Sequence, residues 1–171
     1  MAELAARERL QPSLLDRLTD DQPEQTVEAR ERRVLSMRSL RQGVLRDLGW
    51  LLNTTNLHSA QPAISDYPHV AASVLNYGMP DIAGKTASGY DVRDLERSLR
   101  QAVWDFEPRI IRSTVVVRVK AAEDDSGNYN VIRFDVEGDL WALPFPERLY
   151  LKTELDLESG SIRVSESIGA R

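Results

Sequence analysis

Residues 91–120 read DVRDLERSLRQAVWDFEPRIIRSTVVVRVK, and one change of period inside them decides the fold. Up to Phe106 the apolar residues Val92, Leu95, Leu99, Val103 and Phe106 recur every three or four positions, which puts them on one side of a helix. Asp91 and Asp94 suit the positive N-terminal end of that helix, and Pro108 ends it by pushing Glu107 off helical angles. Beyond Arg109 the period drops to two. Val115, Val117 and Val119 alternate with Val116, Arg118 and Lys120, the pattern of a strand with one buried face. The corner Glu107-Pro108-Arg109 thus joins a helical half to a β half.

Downstream, the turn Asp124-Asp125-Ser126-Gly127-Asn128 leads to Ile132, Phe134 and Val136, alternating with Arg133, Asp135 and Glu137. Gly138 and Pro144-Phe145-Pro146 interrupt the pattern. Leu149, Leu151, Thr153, Leu155 and Leu157 then alternate with Tyr150, Lys152, Glu154 and Asp156, and Glu158-Ser159-Gly160 turns the chain into Ile162 and Val164. Short turns make neighbouring strands antiparallel. The expected fold is α+β: N-terminal helices packed on one face of a C-terminal antiparallel meander of about four strands. Such a sheet has two margins whose main-chain groups can take a strand from another chain. The third strand, residues 148–157, carries one lysine and no internal proline to discourage it.

Upstream, Met37, Leu40, Val44, Leu48 and Leu51 form a helical stripe within residues 34–52, and Asn53-Thr54-Thr55-Asn56 stops it. A shorter helix is expected from Tyr67 to Asn76, capped by Asp66, with Pro68 in its first turn and Gly78 after its end. Residues 1–33 differ from the rest: Glu, Asp, Arg and Gln dominate, and Pro12 and Pro23 break the segment. Leu14, Leu15 and Leu18 are its apolar knot, in a turn that Ser13 can cap with Asp16 three residues on. The expected organisation is a polar arm with a short docking helix over residues 1–33 and a single α+β domain over 34–171. A strap folded back on its own core is the competing reading of the arm.

The chain has 171 residues, with 22 Lys and Arg against 27 Asp and Glu, a net charge of −5 that argues against sequence-independent grip on a phosphate backbone. No cysteine is present, which excludes disulfides, thiolate metal sites and cysteine nucleophiles. His58 and His69 stand eleven apart without a ligand-spaced carboxylate pattern, so no metal is expected. Gly84-Lys85-Thr86 resembles the tail of a phosphate-binding loop, but Met79 stands where its first glycine belongs, and no cofactor is expected. No apolar run reaches the ~18–20 residues of a membrane span. The alternating charges and alanines of residues 1–10 do not read as a signal peptide, so a cytoplasmic protein is expected.

Glu107 is the one carboxylate in a setting that suggests catalysis, beside the apolar helix end at Trp104 and Phe106. A glycoside hydrolase needs a general acid with a second carboxylate ~5–9 Å away; Asp105 is too close in sequence to choose its geometry freely, and Asp135 or Asp139 qualify only if the sheet brings them near. Against this, the guanidinium of Arg109 favours an ionised neighbour, the wrong form for a proton donor. The other use of the corner is contact: proline fixes the turn, and Glu107 and Arg109 present opposite charges for an oriented interface with a partner. The bland alternative is that the pair ties the protein's own helix to its own sheet.

Four stretches make the pattern familiar: Leu14-Leu15-Asp16-Arg17-Leu18; Arg46-Asp47-Leu48 with Leu51-Leu52-Asn53-Thr54; Ser73-Val74-Leu75-Asn76-Tyr77-Gly78-Met79-Pro80-Asp81; and Phe106-Glu107-Pro108-Arg109. In order and spacing, from about residue 10 to 165, they resemble the TssE family of type VI secretion baseplate subunits. That family is akin to the small wedge protein of contractile phage baseplates and was once labelled lysozyme-like. Where the family has Asn-Thr-Arg, this chain has Asn53-Thr54-Thr55. The resemblance implies a non-enzymatic wedge subunit without cofactor at the cytoplasmic face of the inner membrane. The implied partners are the TssF and TssG wedge subunits and the TssB–TssC sheath, with TssK as a further neighbour. It also implies a sheet able to template the first sheath ring by strand addition. The residues expected to carry protein contacts are Glu107, Pro108, Arg109, Leu14, Leu15 and Leu18.

Overall fold

The computed structural model describes residues 13–19, 23–24, 36–81, 91–120, 131–142 and 146–166. The expected turn at 124–128, the first part of the Pro144-Phe145-Pro146 corner, the Gly84-Lys85-Thr86 stretch and the boundary between residues 33 and 34 lie outside them. Among the described residues, five α-helical segments come first: α1 (Leu14–Leu18), α2 (Met37–Leu52), α3 (Leu57–Ala60), α4 (Pro68–Ala71) and α5 (Val92–Phe106). Four strands follow, β1 (Val116–Lys120), β2 (Val131–Leu140), β3 (Glu147–Asp156) and β4 (Ile162–Glu166), antiparallel in the order β1-β2-β3-β4. This is the expected α+β meander.

Side chains cap the N-termini of α1, α2 and α5. Ser13 accepts the amide of Asp16 at 3.3 Å, Ser36 that of Ser39 at 3.1 Å, and Asp91 that of Arg93 at 2.8 Å. The stripe of α2 buries Leu40, Val44, Leu48 and Leu51, and that of α5 buries Leu95, Leu99 and Val103. Both lie on the sheet's apolar face, formed by Val117, Ile132, Phe134, Val136, Leu149, Leu151, Leu155 and Ile162, all buried. At ~1.5–3 kcal/mol for each fully buried large apolar side chain, this two-layer contact is the principal source of stability.

Two expectations need correction. The helix expected over Tyr67 to Asn76 is a series of single turns: a 3-10 turn Pro62–Asp66, then α4, then a 3-10 turn Val74–Asn76. Asp66 ends the first of these, and Tyr67, not Asp66, occupies the cap position of α4. Local side chains win over a continuous helix: Ser73 Oγ donates to the Val70 carbonyl at 2.8 Å, and Asn76 Nδ2 donates to the Ala71 carbonyl at 2.9 Å. Gly138 does not interrupt its strand either. It pairs with Leu149 inside β2, and a Cβ there would stand 2.6 Å from Ile110 Cγ2, so the glycine makes room for a neighbouring side chain.

Gly78, by contrast, is a true backbone requirement. Its φ is +122°, and a Cβ would come within 2.3 Å of the Thr54 carbonyl. That approach lets the Met79 amide donate to Thr54 at 2.7 Å and the Asn56 amide to Met79 at 2.8 Å, which fastens the 73–81 loop to the end of α2.

Candidate functional site

Proline at 108 turns the chain out of α5 and delivers it to the end of β2. The Glu107 amide still closes the helix on Val103 at 2.9 Å; two residues on, the Arg109 carbonyl accepts from Trp141 at 2.8 Å and the Ile111 amide donates to Asp139 at 2.8 Å. The turn also folds the two charges onto each other. Glu107 Oε1 accepts from the Arg109 amide at 3.1 Å and from Arg109 Nε at 2.7 Å, and Glu107 Oε2 accepts from Nη2.

The Arg109 fork reaches further. Its Nη2 donates to Asp47 Oδ2 at 2.6 Å, and the other oxygen of Asp47 accepts from Arg46 Nε at 2.8 Å. Arg46 Nη1 in turn donates to Asp16 Oδ1 at 2.6 Å, whose Oδ2 accepts from Ser13 Oγ at 2.7 Å. Alternating charges thus run from α1 across α2 to the α5–β1 corner: Asp16, Arg46, Asp47, Arg109, Glu107. Burial alone would lower the Arg109 pKa, but the hydrogen bonds and charges of Glu107 and Asp47 hold it well above the usual arginine value. Burial, with the charges of Asp47 and Glu107 behind it, likewise pushes the Tyr77 phenol up. Hydrogen bonds to Asp47 and then Asp16 lift the Arg46 pKa against the opposing influence of burial.

The structure therefore brings Glu107 and Arg109 together with Asp47, Arg46 and Asp16, which sequence reasoning did not connect. The available signal was Asp47 itself, a carboxylate beside the buried Leu48 of the α2 stripe. Glu107 does not project. Its side chain is 2% exposed, while that of Arg109 keeps 23% of its surface. With both oxygens occupied by one guanidinium, this carboxylate has almost no access to a substrate. No group of three or more metal-ligating residues occurs among the described residues.

Leu14, Leu15 and Leu18 lie apart from the corner charges but on the same relay. The α1 helix is held to α2 through Asp16, while its leucines remain 69%, 44% and 75% exposed. Exposed apolar side chains on a helix anchored by its polar face suit contact with another chain.

Among the described residues, main-chain groups at each sheet margin are engaged by a side chain from the helical half, another feature the sequence did not reveal. At the β4 margin, Asn53 Oδ1 accepts the Ile162 amide at 2.8 Å and Asn53 Nδ2 donates to the Ile162 carbonyl at 2.8 Å. At the β1 margin, Glu96 Oε1 accepts the Val119 amide at 2.8 Å. The outer, solvent face of the sheet is a lattice of ion pairs, with Arg148 on Glu137 and Asp139, Arg118 on Glu137, and Lys120 on Asp135.

The charged corner thus clamps the helical half to a four-strand antiparallel meander. Residues 38–144, more than half of the chain, match the family model of the baseplate wedge protein gp25. The chain belongs to that family, and its role is that of a structural part of a phage-tail-like baseplate. Comparison with curated proteins gave no match, and comparison with solved structures gave none. No helix among the described residues is long and apolar enough to cross a membrane.

Proposed function

We propose that the chain is the TssE-type wedge subunit of a type VI secretion baseplate, working in the cytoplasm as an adaptor without catalytic activity. It binds TssF and TssG through Leu14, Leu15 and Leu18, stands near TssK, and starts the TssB–TssC sheath by accepting a strand at its sheet margin. Membership of the wedge family supports the setting. The observation that carries the assembly reading is the meander β1-β2-β3-β4, whose two outer strands each have one strand neighbour among the described residues. The Glu107-Pro108-Arg109 corner supports an interface through Arg109, whose guanidinium is fixed by Glu107 and Asp47 and still partly exposed. A fork held in one orientation loses little freedom on meeting a partner's carboxylate or carbonyl.

The test is capture of purified TssF–TssG by the chain with Leu14, Leu15 and Leu18 all changed to Ser. Because these side chains are exposed, each change should move folding stability by no more than about 0.5 kcal/mol. Capture should be lost while the unfolding curve stays in place. Undiminished capture would remove α1 from the interface. Peptidoglycan turnover by the wild-type protein, abolished in Glu107→Gln, would overturn the non-catalytic reading.

A further inference from the structure

We infer that β1 is the margin that receives the incoming strand, with Glu96 as a displaceable placeholder on Val119 and Asn53 as the lock that keeps β4 closed. This rests on the strand-addition reading and decides which side of the sheet performs it.

The pairing pattern shows which main-chain groups point outward. In an antiparallel ladder, residues bonded to the neighbour alternate with residues that face away. The Val119 amide goes to Glu96, not to β2, so Val117 and Val119 face outward on β1. On β4 the groups of Ile162 go to Asn53, so Ile162 and Val164 face outward there. Each margin is five residues long, and what differs is how it is occupied.

Asn53 fills both the donor and the acceptor of Ile162, as a paired strand residue would. It is also the C-cap of α2, donating from its amide group to the Gly49 carbonyl at 2.7 Å. At the other end of α2, Arg41 holds Glu147 at 2.5 Å and also Glu166, the last residue of β4. An incoming strand on β4 would have to break a two-bond clamp and the end of a helix with it. Glu96 offers one acceptor to one amide. A carbonyl from an arriving strand replaces that bond in kind, and the released carboxylate gains water, so the exchange at β1 carries little net cost. The partner this margin fits is an extended main-chain segment, recognised by its alternating carbonyl and amide groups rather than by a pocket.

Val119 and Val164 are both partly buried and both outward in their backbone, so proline at either position removes one outward donor and spares the ladder to the neighbouring strand. The experiment measures sheath nucleation from TssB–TssC, by sedimentation, seeded with Val119→Pro, Val164→Pro or Glu96→Ala protein. Val119→Pro should lower nucleation by about tenfold, since its ring obstructs the arriving chain and a ladder donor is lost. Val164→Pro should stay near wild type, and Glu96→Ala should match or exceed it. Val119→Pro and Glu96→Ala remove the same internal hydrogen bond, so an equal loss in both identifies a fold tie and overturns the inference. Loss with Val164→Pro alone assigns the strand to β4, which overturns the inference and keeps strand addition. Normal nucleation with both prolines retires strand addition itself. Should Val119→Pro fail to fold, amide exchange in Glu96→Ala protein decides the matter. Val119 should exchange fast alone and slowly with TssB–TssC, and protection gained at Val164 instead refutes the assignment.

Discussion

Arg109 and Glu107 are not equivalent halves of one pair, because different things are left behind when each is removed. Without Arg109, the Glu107 carboxylate, 2% exposed in the intact corner, keeps only the backbone amide of residue 109 as donor. Without Glu107, the guanidinium keeps Asp47 and its share of solvent. Breaking a buried pair from one side costs ~3–5 kcal/mol, and we expect Arg109→Ala to fall in that range. Glu107→Ala should cost less, about 2–3 kcal/mol, since the remaining charge is still paired. Arg109→Lys should recover only part of the loss, because one ammonium cannot fork to two carboxylates. Urea midpoints at unchanged slope measure all three, and a smaller loss for Arg109→Ala than for Glu107→Ala would show that the guanidinium is not the centre of the relay. The corner was legible as a pair of charges at a rigid turn. Its true partner was not, because Asp47 is 62 residues away from Arg109 and only packing brings a helix face to a turn.

Among the elements, α2 carries the most joined functions: it buries a stripe on the sheet, caps the β4 margin with its last turn, and receives both α1 and Arg109 near Gly43. A Cβ at Gly43 would stand 3.5 Å from Arg109 Nη1 and 3.5 Å from Asp16 Oδ2, an ordinary contact distance. Alanine therefore fits, and removing a mid-helix glycine should stabilise the protein by ~1 kcal/mol. Leucine does not fit: its branch needs the space held by those two side chains. We expect Gly43→Ala to raise the melting temperature and Gly43→Leu to lower it, with the Thr19 amide, which closes α1 on Leu15 at 3.0 Å, exchanging faster only in the leucine variant. Slower unfolding in Gly43→Leu would show that the site is empty. The long elements were readable because their periods persist: α2, α5 and all four strands fall where alternation and stripe put them. Residues 57–76 were not, since turns of three to five residues have no period, and their limits are set by Ser73, Asn76 and prolines acting locally. Gly138 misled for a related reason, because a strand glycine and a strand break have the same letter.

Taken across the whole molecule, the charge relay joins regions of unequal hold. The corner end closes on Glu107, 2% exposed, whereas at the arm end both partners keep solvent: Asp16 is 23% and Arg46 34% exposed in their side chains. The period switch that fixed the fold class carries no information about such a relay, since Asp16, Asp47 and Glu107 lie on three separate elements. Burial pushes the Asp16 carboxyl up, but the hydrogen bonds from Ser13 and Arg46, with the charge of Arg46, outweigh it and hold the group below its ordinary 3.8. A carboxyl depressed on folding stabilises fully above its ordinary value and loses that contribution as pH falls through the folded one. The attachment of α1 should accordingly persist at neutral pH and fade below pH 3.8. The amount at stake is that of a largely solvent-screened pair, about 0.2–1 kcal/mol, so the arm should detach without unfolding the sheet. Asp16→Asn should give the detached state already at pH 7, with the Thr19 amide exchanging as in acid and the core amides of Leu99 and Phe134 unchanged. High salt should act in the same direction as acid, because the pair is partly open to ions. If the Thr19 amide of the wild-type protein stayed equally protected from neutral pH down past the carboxylate range, and in high salt, the ionic hold of Asp16 on Arg46 would have to be replaced by another contact.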